Sequence, residues 1–580
     1  MVDLKGKPFY LSDCDVEWVE KTIEKMSVEE KIGQLFIMLD RKKDPKETEH
    51  IIKNYHIGGC RYQNESAEQI FEQNKFYQEC SEIPLLIACN CDNGGSGACS
   101  DGTHIATAAA CGASEGSEVA YDVGYVSGVE GSAVGCNWDF GPVCDLLFNW
   151  RNTIVNTRAY GKDVEQVINN CRAYIKGVEQ SGMAACCKHF PGDGVEELDQ
   201  HLVMGVNTFE CEEWDDTFGK VYKTLIDDGI KSIMAGHIAL PAYSKKLRPG
   251  IKDEEIMPAT LAPELLTDLL RGKLGYNGLI LTDASHMAGL TCAKPRKYQV
   301  PETIAAGCDM FLFFNDIEED FGYMLQGYKE GIITEERLND ALMRILGLKA
   351  SLKLHEKKKN GTLIGDKSAL KKIGCEEHLN KAKKAADMSI TLVKNSRQIL
   401  PISSKTHKRV CAFVISSPPI SRKNKQDPVK EVVKEELEKA GYDVHMQDSY
   451  YDLVLSKGIS LETELESVVI GKVEEFKKKY DAVFVFINMK GYAQENNVRL
   501  SWSIGHSIEI PWYMQEVPTV FVSLNYTNHL IDIPMAKTFI NAYAPTREVI
   551  HQTIEKVAGI SPFKGAYDEN VFCGRWDTRL

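Results

Sequence analysis

The chain has 580 residues, too many for one ordinary domain, so two or three domains are expected. A hydrophobic share of 43% beside 26% charged residues excludes a disordered or fibrous chain, and a formal net charge of -15 argues against nucleic acid or an anionic membrane as main partner. Several of the 18 cysteines lie in apolar runs such as Ala185-Cys186-Cys187 and Val410-Cys411-Ala412, which fits free thiols in a reducing compartment better than a disulfide framework. Met1 to Val16 has no basic segment followed by an apolar stretch, and no apolar run reaches about 18 residues, so a cytoplasmic protein outside the membrane is expected.

The first predicted helix opens at Ser27-Val28-Glu29-Glu30, a capping box ahead of Ile32, Leu35 and Phe36. Short apolar runs then recur at 35–38, 59–62, 84–88, 137–140, 183–187, 232–235, 279–282 and 310–314. Helical patterns lie between most of them, for example 66–79 and 211–228, and Thr334-Glu335-Glu336-Arg337 marks a further helix start. Eight strands alternating with helices predict a closed parallel (β/α)8 barrel over residues 1–350. Residues 351–380, with Lys357-Lys358-Lys359-Asn360-Gly361 at their centre, read as a solvated linker. Beyond them, runs at 410–415, 482–487 and 519–524 with an amphipathic helix at 429–440 predict an open α/β domain over 381–580. No glycine-rich phosphate loop opens its helices, so no nucleotide site is expected.

In such a barrel the chemistry sits at the C-terminal ends of the strands. There the sequence places Lys188-His189 after the fifth run, His237 after the sixth and Asp283 after the seventh. Asp283 is either a nucleophilic carboxylate at the barrel mouth or a helix cap, and position alone leaves both open. In Asp199-Gln200-His201 the two-residue spacing lets a carboxylate touch an imidazole, fixing its tautomer and favouring the imidazolium that a general acid needs. Spacing alone favours an ordinary surface pair. Lys188 is either a sugar-hydroxyl donor or part of a structural ion pair. Cys89-Asn90-Cys91 lacks a second cluster at zinc spacing, so no metal is expected.

Several stretches taken together resemble glycoside hydrolase family 3, and most closely its β-N-acetylglucosaminidases. They are Lys188-His189-Phe190-Pro191-Gly192-Asp193-Gly194, Asp199-Gln200-His201 and Leu279-Ile280-Leu281-Thr282-Asp283-Ala284. In the same order come Glu30 to Phe36, Phe140 to Asp145, Arg158 to Gly161, Met234 to His237 and Pro258 to Leu261, with Ser389 to Asn395 similar to the start of that family's C-terminal domain. The resemblance implies Asp283 as nucleophile and His201, paired with Asp199, as acid/base. It implies Arg158, Lys188, His189 and His237 as sugar-binding residues, with Met287 as the family's methionine in the nucleophile loop. Where the family has Asp-x-Glu-Gly-Gly, this chain has Asn90-Cys91-Asp92-Asn93-Gly94-Gly95, so either Asn90 or Asp92 takes the hydroxyl-binding role. The family's Phe-Pro-Gly-His-Gly histidine is Asp193 here, and the Pro-Gly-Gln-Glu-Gly-Gly run of many β-glucosidases is missing. The implied activity is retaining hydrolysis of terminal β-linked N-acetylglucosamine, with no cofactor. The alternatives are phosphorolysis of such a glycoside, a β-glucosidase of the family, or a non-catalytic sugar-binding homologue.

Overall fold

The computed structural model describes residues 2–41, 44–416, 428–448, 472–489, 499–500 and 510–580. All eight predicted runs are strands: β1 (Phe36–Asp40), β2 (Gly59–Tyr62), β3 (Leu86–Cys89), β4 (Trp138–Asp139), β5 (Ala184–Phe190), β6 (Ser232–Ala235), β7 (Leu279–Thr282) and β8 (Phe311–Leu312). They form one parallel sheet in the order β8-β1-β2-β3-β4-β5-β6-β7. A parallel bridge between Leu281 and Met310, with the Thr282 N–H donating to the Met310 carbonyl at 3.0 Å, joins β7 back to β8 and closes the barrel. Strands β3, β6 and β7 are buried at every residue, as expected where side chains fill the barrel inside and helices cover it outside.

The helix starts are built as the sequence predicts. Ser27 and Glu30 cap each other reciprocally, Ser66 caps Ala67–Cys80, and the Thr334 hydroxyl accepts from the Arg337 N–H. The helix over 211–228 carries a π turn at Asp215–Gly219 between two α segments. Strand β5 runs three residues past its predicted end, with its register against β6 shifting between Cys187 and Phe190. Lys188 and His189 therefore lie on the strand and do not follow it. Their polar groups find partners inside the barrel mouth, so polarity does not end the strand there.

The chain divides into two compact units, Met1–Ala108 with Ser117–Leu379 and Ala109–Gly116 with Asn380–Leu580. Much of the expected linker is folded into the first unit. It holds a helix at Leu354–Lys359 and a 3-10 turn at Lys367–Lys372. Lys358 Nζ donates to the Gln78 carbonyl at 3.1 Å, Lys367 pairs with Glu68 and Glu72, and His378 Nδ1 lies 2.6 Å from Glu130 Oε1. Long lysine stems cover apolar surface without leaving an apolar period in the sequence. Burial pushes the Lys357 and Lys358 ammonium groups below their ordinary range.

The second unit is a mixed sheet of β9 (Thr391–Asn395), β10 (Arg409–Ser416), β11 (Asp443–Met446), β12 (Ala482–Asn488), β13 (Thr519–Ser523) and β14 (Thr538–Asn541). Its order is β9-β14-β13-β12-β10-β11, with β9 the antiparallel edge. Alternate residues of β10 and β12 enter opposite cores. Val410, Ala412, Val414, Phe484 and Phe486 face one, and Cys411, Phe413, Val483 and Val485 the other. Period-two alternation with both faces apolar gives the continuous hydrophobic runs seen in the sequence. All 18 cysteines are free thiols. Among the described residues no helix is long and apolar enough to cross a membrane.

Candidate active site

One edge of the barrel mouth is a charge network. Lys188 Nζ, almost fully buried, donates to Asn90 Oδ1 at 2.6 Å and lies 3.0 Å from Asp92 Oδ1, while Arg158 Nε donates to Asp92 Oδ2 at 3.0 Å. Burial alone would raise the Asp92 carboxyl, but the two cations outweigh it and hold it well below the usual carboxylate range. Asn90 and Asp92 thus both engage Lys188. A carboxylate flanked by two cations keeps each group charged in a site largely closed to water.

The second cluster centres on Asp283, which β7 delivers to the rim. Its N–H donates to the Ala235 carbonyl at 2.8 Å and its Oδ1 accepts from the Ala284 N–H at 2.7 Å. His189 Nε2 stands 3.9 Å from Asp283 Oδ2, and its Nδ1 lies 2.8 Å from Asp145 Oδ2. A carboxylate at Nδ1 demands an N–H there and so turns Nε2 toward Asp283. His237 Nε2 is 3.0 Å from the Ala284 carbonyl, which fixes that nitrogen as donor and leaves Nδ1 to meet Thr260 Oγ1 at 3.0 Å. Burial lowers the His237 imidazole below its ordinary value. Burial also tends to raise the Asp283 carboxyl, but the imidazoles of His189, His237 and His201 outweigh that and hold it low. Asp283 is thus an ionised carboxylate in a mostly buried pocket.

The third cluster is Asp199 and His201. Asp199 Oδ1 lies 2.6 Å from His201 Nδ1 and also accepts the His201 N–H at 2.9 Å, with Asp199 1% exposed. The pair is not a loose surface contact. Its loop is docked on the loop after β7, where the Ala288 and Gly289 N–H groups donate to the carbonyls of His201 and Gln200 at 3.0 and 3.2 Å. The imidazole keeps 25% of its side chain open to solvent. Met287 is buried in this loop and tied through its N–H to the Ala284 carbonyl.

Sequence reasoning missed Asp145, Thr260 and Gln200 as orienting partners, the last through its Oε1, which accepts the His237 N–H at 2.8 Å. Asp145 lies in the quoted Phe140-to-Asp145 stretch and Thr260 in Pro258-to-Leu261, so each had a positional signal but no assigned role. It also read Cys89 and Cys91 as buried thiols without a second ligand cluster. The fold brings them together with Asp139, their ligand-type atoms within 4.8 Å of one another. There Asp139 accepts from the Cys91 N–H and the Tyr174 hydroxyl at 2.9 and 2.6 Å; the contact with Cys89 pulls the Cys91 thiol down, but burial and the Asp139 carboxylate outweigh it and push the thiol up to about 12. Cys91 and Asp139 thus form part of a hydrogen-bonded floor beneath Asn90 and Asp92.

A closed parallel barrel with an ionised carboxylate and imidazoles at its mouth is the architecture of an enzyme whose chemistry sits at the C-terminal ends of its strands. Residues 27–348 match the glycosyl hydrolase family 3 N-terminal domain. The whole chain is 38% identical over 582 residues to a β-N-acetylglucosaminidase/β-glucosidase of Cellulomonas fimi, with 100% of each covered. A β-hexosaminidase of Chromobacterium violaceum is 36% identical over 205 residues, 35% of this chain and 53% of that relative. The solved structure of the β-glucoside phosphorylase BglX has a TM-score of 0.90 at 36% identity, covering 99% of both chains. A β-N-acetylglucosaminidase structure from Paenibacillus sp. str. FPU-7, at 23% identity and a TM-score of 0.76 over 93% of this chain and 98% of that one, shares the fold. The chain belongs to glycosyl hydrolase family 3 and is a glycoside-cleaving enzyme.

Proposed function

We propose that this enzyme removes terminal, non-reducing β-linked N-acetylglucosamine with retention of configuration. The observation that carries the proposal is the pairing at one rim of the ionised Asp283 with the Asp199–His201 dyad, closed by a 2.6 Å contact. In the first step an Asp283 oxygen attacks the anomeric carbon, the glycosidic C–O bond breaks, and His201 gives its proton to the leaving oxygen. In the second, the now neutral His201 takes a proton from water as its oxygen attacks the same carbon, and Asp283 leaves as carboxylate. Arg158 and Lys188 hold sugar hydroxyls in this reading, with Asn90 and Asp92 setting the position of Lys188, while both ring nitrogens of the buried His237 are taken by Ala284 and Thr260. The printed names of the Cellulomonas and Chromobacterium relatives support the amino-sugar substrate.

A second reading replaces water by phosphate. It is favoured by the acid/base being an imidazole, which repels phosphate less than a carboxylate would, and by the phosphorylase named among the close structural relatives. The deciding experiment compares an aryl β-N-acetylglucosaminide with the matching β-glucoside, each with and without inorganic phosphate, and identifies the sugar product by NMR. The expected result is a higher kcat/KM for the amino sugar and a first-formed product of β configuration. Preference for the glucoside would overturn the substrate, and an inverted product would overturn the mechanism.

A further inference from the structure

The mouth carries a second pair of groups that the chemistry above leaves unused. Arg41 directly follows β1, and His286 lies three residues beyond Asp283 in the loop after β7. An Arg41 Nη2 atom sits 3.5 Å from both ring nitrogens of His286. Both side chains are exposed, and the imidazole lies nearly parallel over Phe313, centroids 6.4 Å apart at 18°. Other cations around the rim are matched. Arg158 and Lys188 share Asp92, and Arg296 grips Asp320 through two nitrogens at 2.8 and 2.5 Å. Among the described residues, His286 is the polar partner of Arg41, and no carboxylate stands within ion-pair distance of either. A guanidinium set against an imidazole with no counter-charge is an arrangement that an oxyanion would complete.

Position says which oxyanion. His286 lies three residues beyond Asp283 in the same loop and stacks on Phe313 just past β8, so it stands near the reacting centre. The Asp92 network lies by β3 and β5, whereas Arg41, His286 and Phe313 follow β1, β7 and β8. We propose that Arg41 and His286 bind an oxyanion on the leaving-group side of the site, either inorganic phosphate as glycosyl acceptor or an anionic group on the aglycone. The proposal rests on Asp283 and His201 acting as described above. In the phosphate case an oxygen of hydrogen phosphate forms a bond to the anomeric carbon, the bond from that carbon to Asp283 breaks, and the electron pair returns to the carboxylate. The products are a glycosyl phosphate and free enzyme, and no redox partner takes part.

The test uses the full chain and three measurements. Calorimetric titration with inorganic phosphate alone reads binding without turnover. Turnover against phosphate concentration reads the acceptor arm, and KM for a carboxylate-bearing aryl glycoside against its uncharged counterpart reads the aglycone arm. Arg41→Ala, with Arg41→Gln as the milder variant, should raise the phosphate KM or the charged-aglycone KM by about tenfold or more, the weight of a charge-assisted contact. His286→Ala should act in the same direction. The phosphate arm moving alone names an acceptor site, and the aglycone arm moving alone names an anionic substrate. A wild-type enzyme indifferent to phosphate and to aglycone charge, or variants that move neither arm, overturns the proposal. Failure of the underlying reading is separate, because it appears as turnover surviving Asp283→Asn while phosphate binding is still measured.

Discussion

At the scale of single residues, the site depends on how Asp283 is kept charged. Burial works against a carboxylate there, and the neighbouring imidazoles, His189 first, more than offset it. Asp283→Asn keeps the shape and removes the attacking charge, so kcat should fall by roughly 10³-fold or more with the fold intact by circular dichroism. Near wild-type turnover would remove Asp283 from the mechanism. A pH prediction follows from the same balance. With Asp283 as the proposed nucleophile the attacking form is ionised, so activity should be lost as pH falls through the Asp283 pKa, and a lowered pKa places that loss at low pH. His189→Gln removes the leading charge that holds it down. The acid limb of the kcat/KM profile should then move to higher pH. Profiles that superpose would mean that His189 binds sugar but does not set the charge of Asp283.

At the scale of elements, the close docking of two loops fixes where His201 stands. A Cβ on Gly289 would lie 2.8 Å from the Gln200 carbonyl oxygen, 2.9 Å from His237 Cβ and 2.9 Å from the Val203 carbonyl oxygen. Two of those three neighbours are backbone, which cannot swing aside. Gly289→Ala should therefore displace the His201 loop. It should reproduce the signature of His201→Ala, a large loss on glycosides with basic leaving groups and a small one on activated aryl glycosides. Equal losses on both would point to general damage to the barrel. The barrel was legible because each strand is an apolar run between amphipathic helices, and the strand-end residues Asp283 and His237 followed from it. The Asp199–His201 contact was not legible from spacing alone. What makes it a buried dyad is the docking onto Ala288 and Gly289, nearly ninety residues away in sequence, and no local pattern encodes that. Strands β11 and β14 escaped notice for a similar reason. Asp443-Val444-His445-Met446 and Thr538-Phe539-Ile540-Asn541 are short and only half apolar, and they are strands because neighbours supply their ladders. Arg41 is not legible in the sequence, because one basic residue after a strand has no distinctive spacing.

At the scale of the whole molecule, folding stability should carry the imprint of a carboxyl that stays protonated. Asp193 stands where the family has a histidine, almost fully buried, with its N–H donating to Asp145 Oδ1 at 2.8 Å. Asn152 Nδ2 and the Gly194 N–H donate to its own Oδ1 at 2.8 and 2.6 Å, which favours the charged form. Burial first, and the Asp145 carboxylate second, outweigh them and push Asp193 up to about 8. Asp145 is also the group that orients His189, and the Asp193 carboxyl beside it gives its charge up. The linkage has a definite sign. An unfolded Asp loses its proton near pH 4, while the folded one keeps it to about 8, so over that window the folded state binds more protons. Its contribution to stability is complete below the unfolded pKa and declines as pH rises toward the folded one. Asp193→Asn copies the protonated side chain and removes the titration. The Tm of the variant relative to wild type should therefore climb steadily from pH 5 to pH 8 and level off above. A difference in Tm that stays constant across that range would mean that Asp193 is ionised in the folded enzyme.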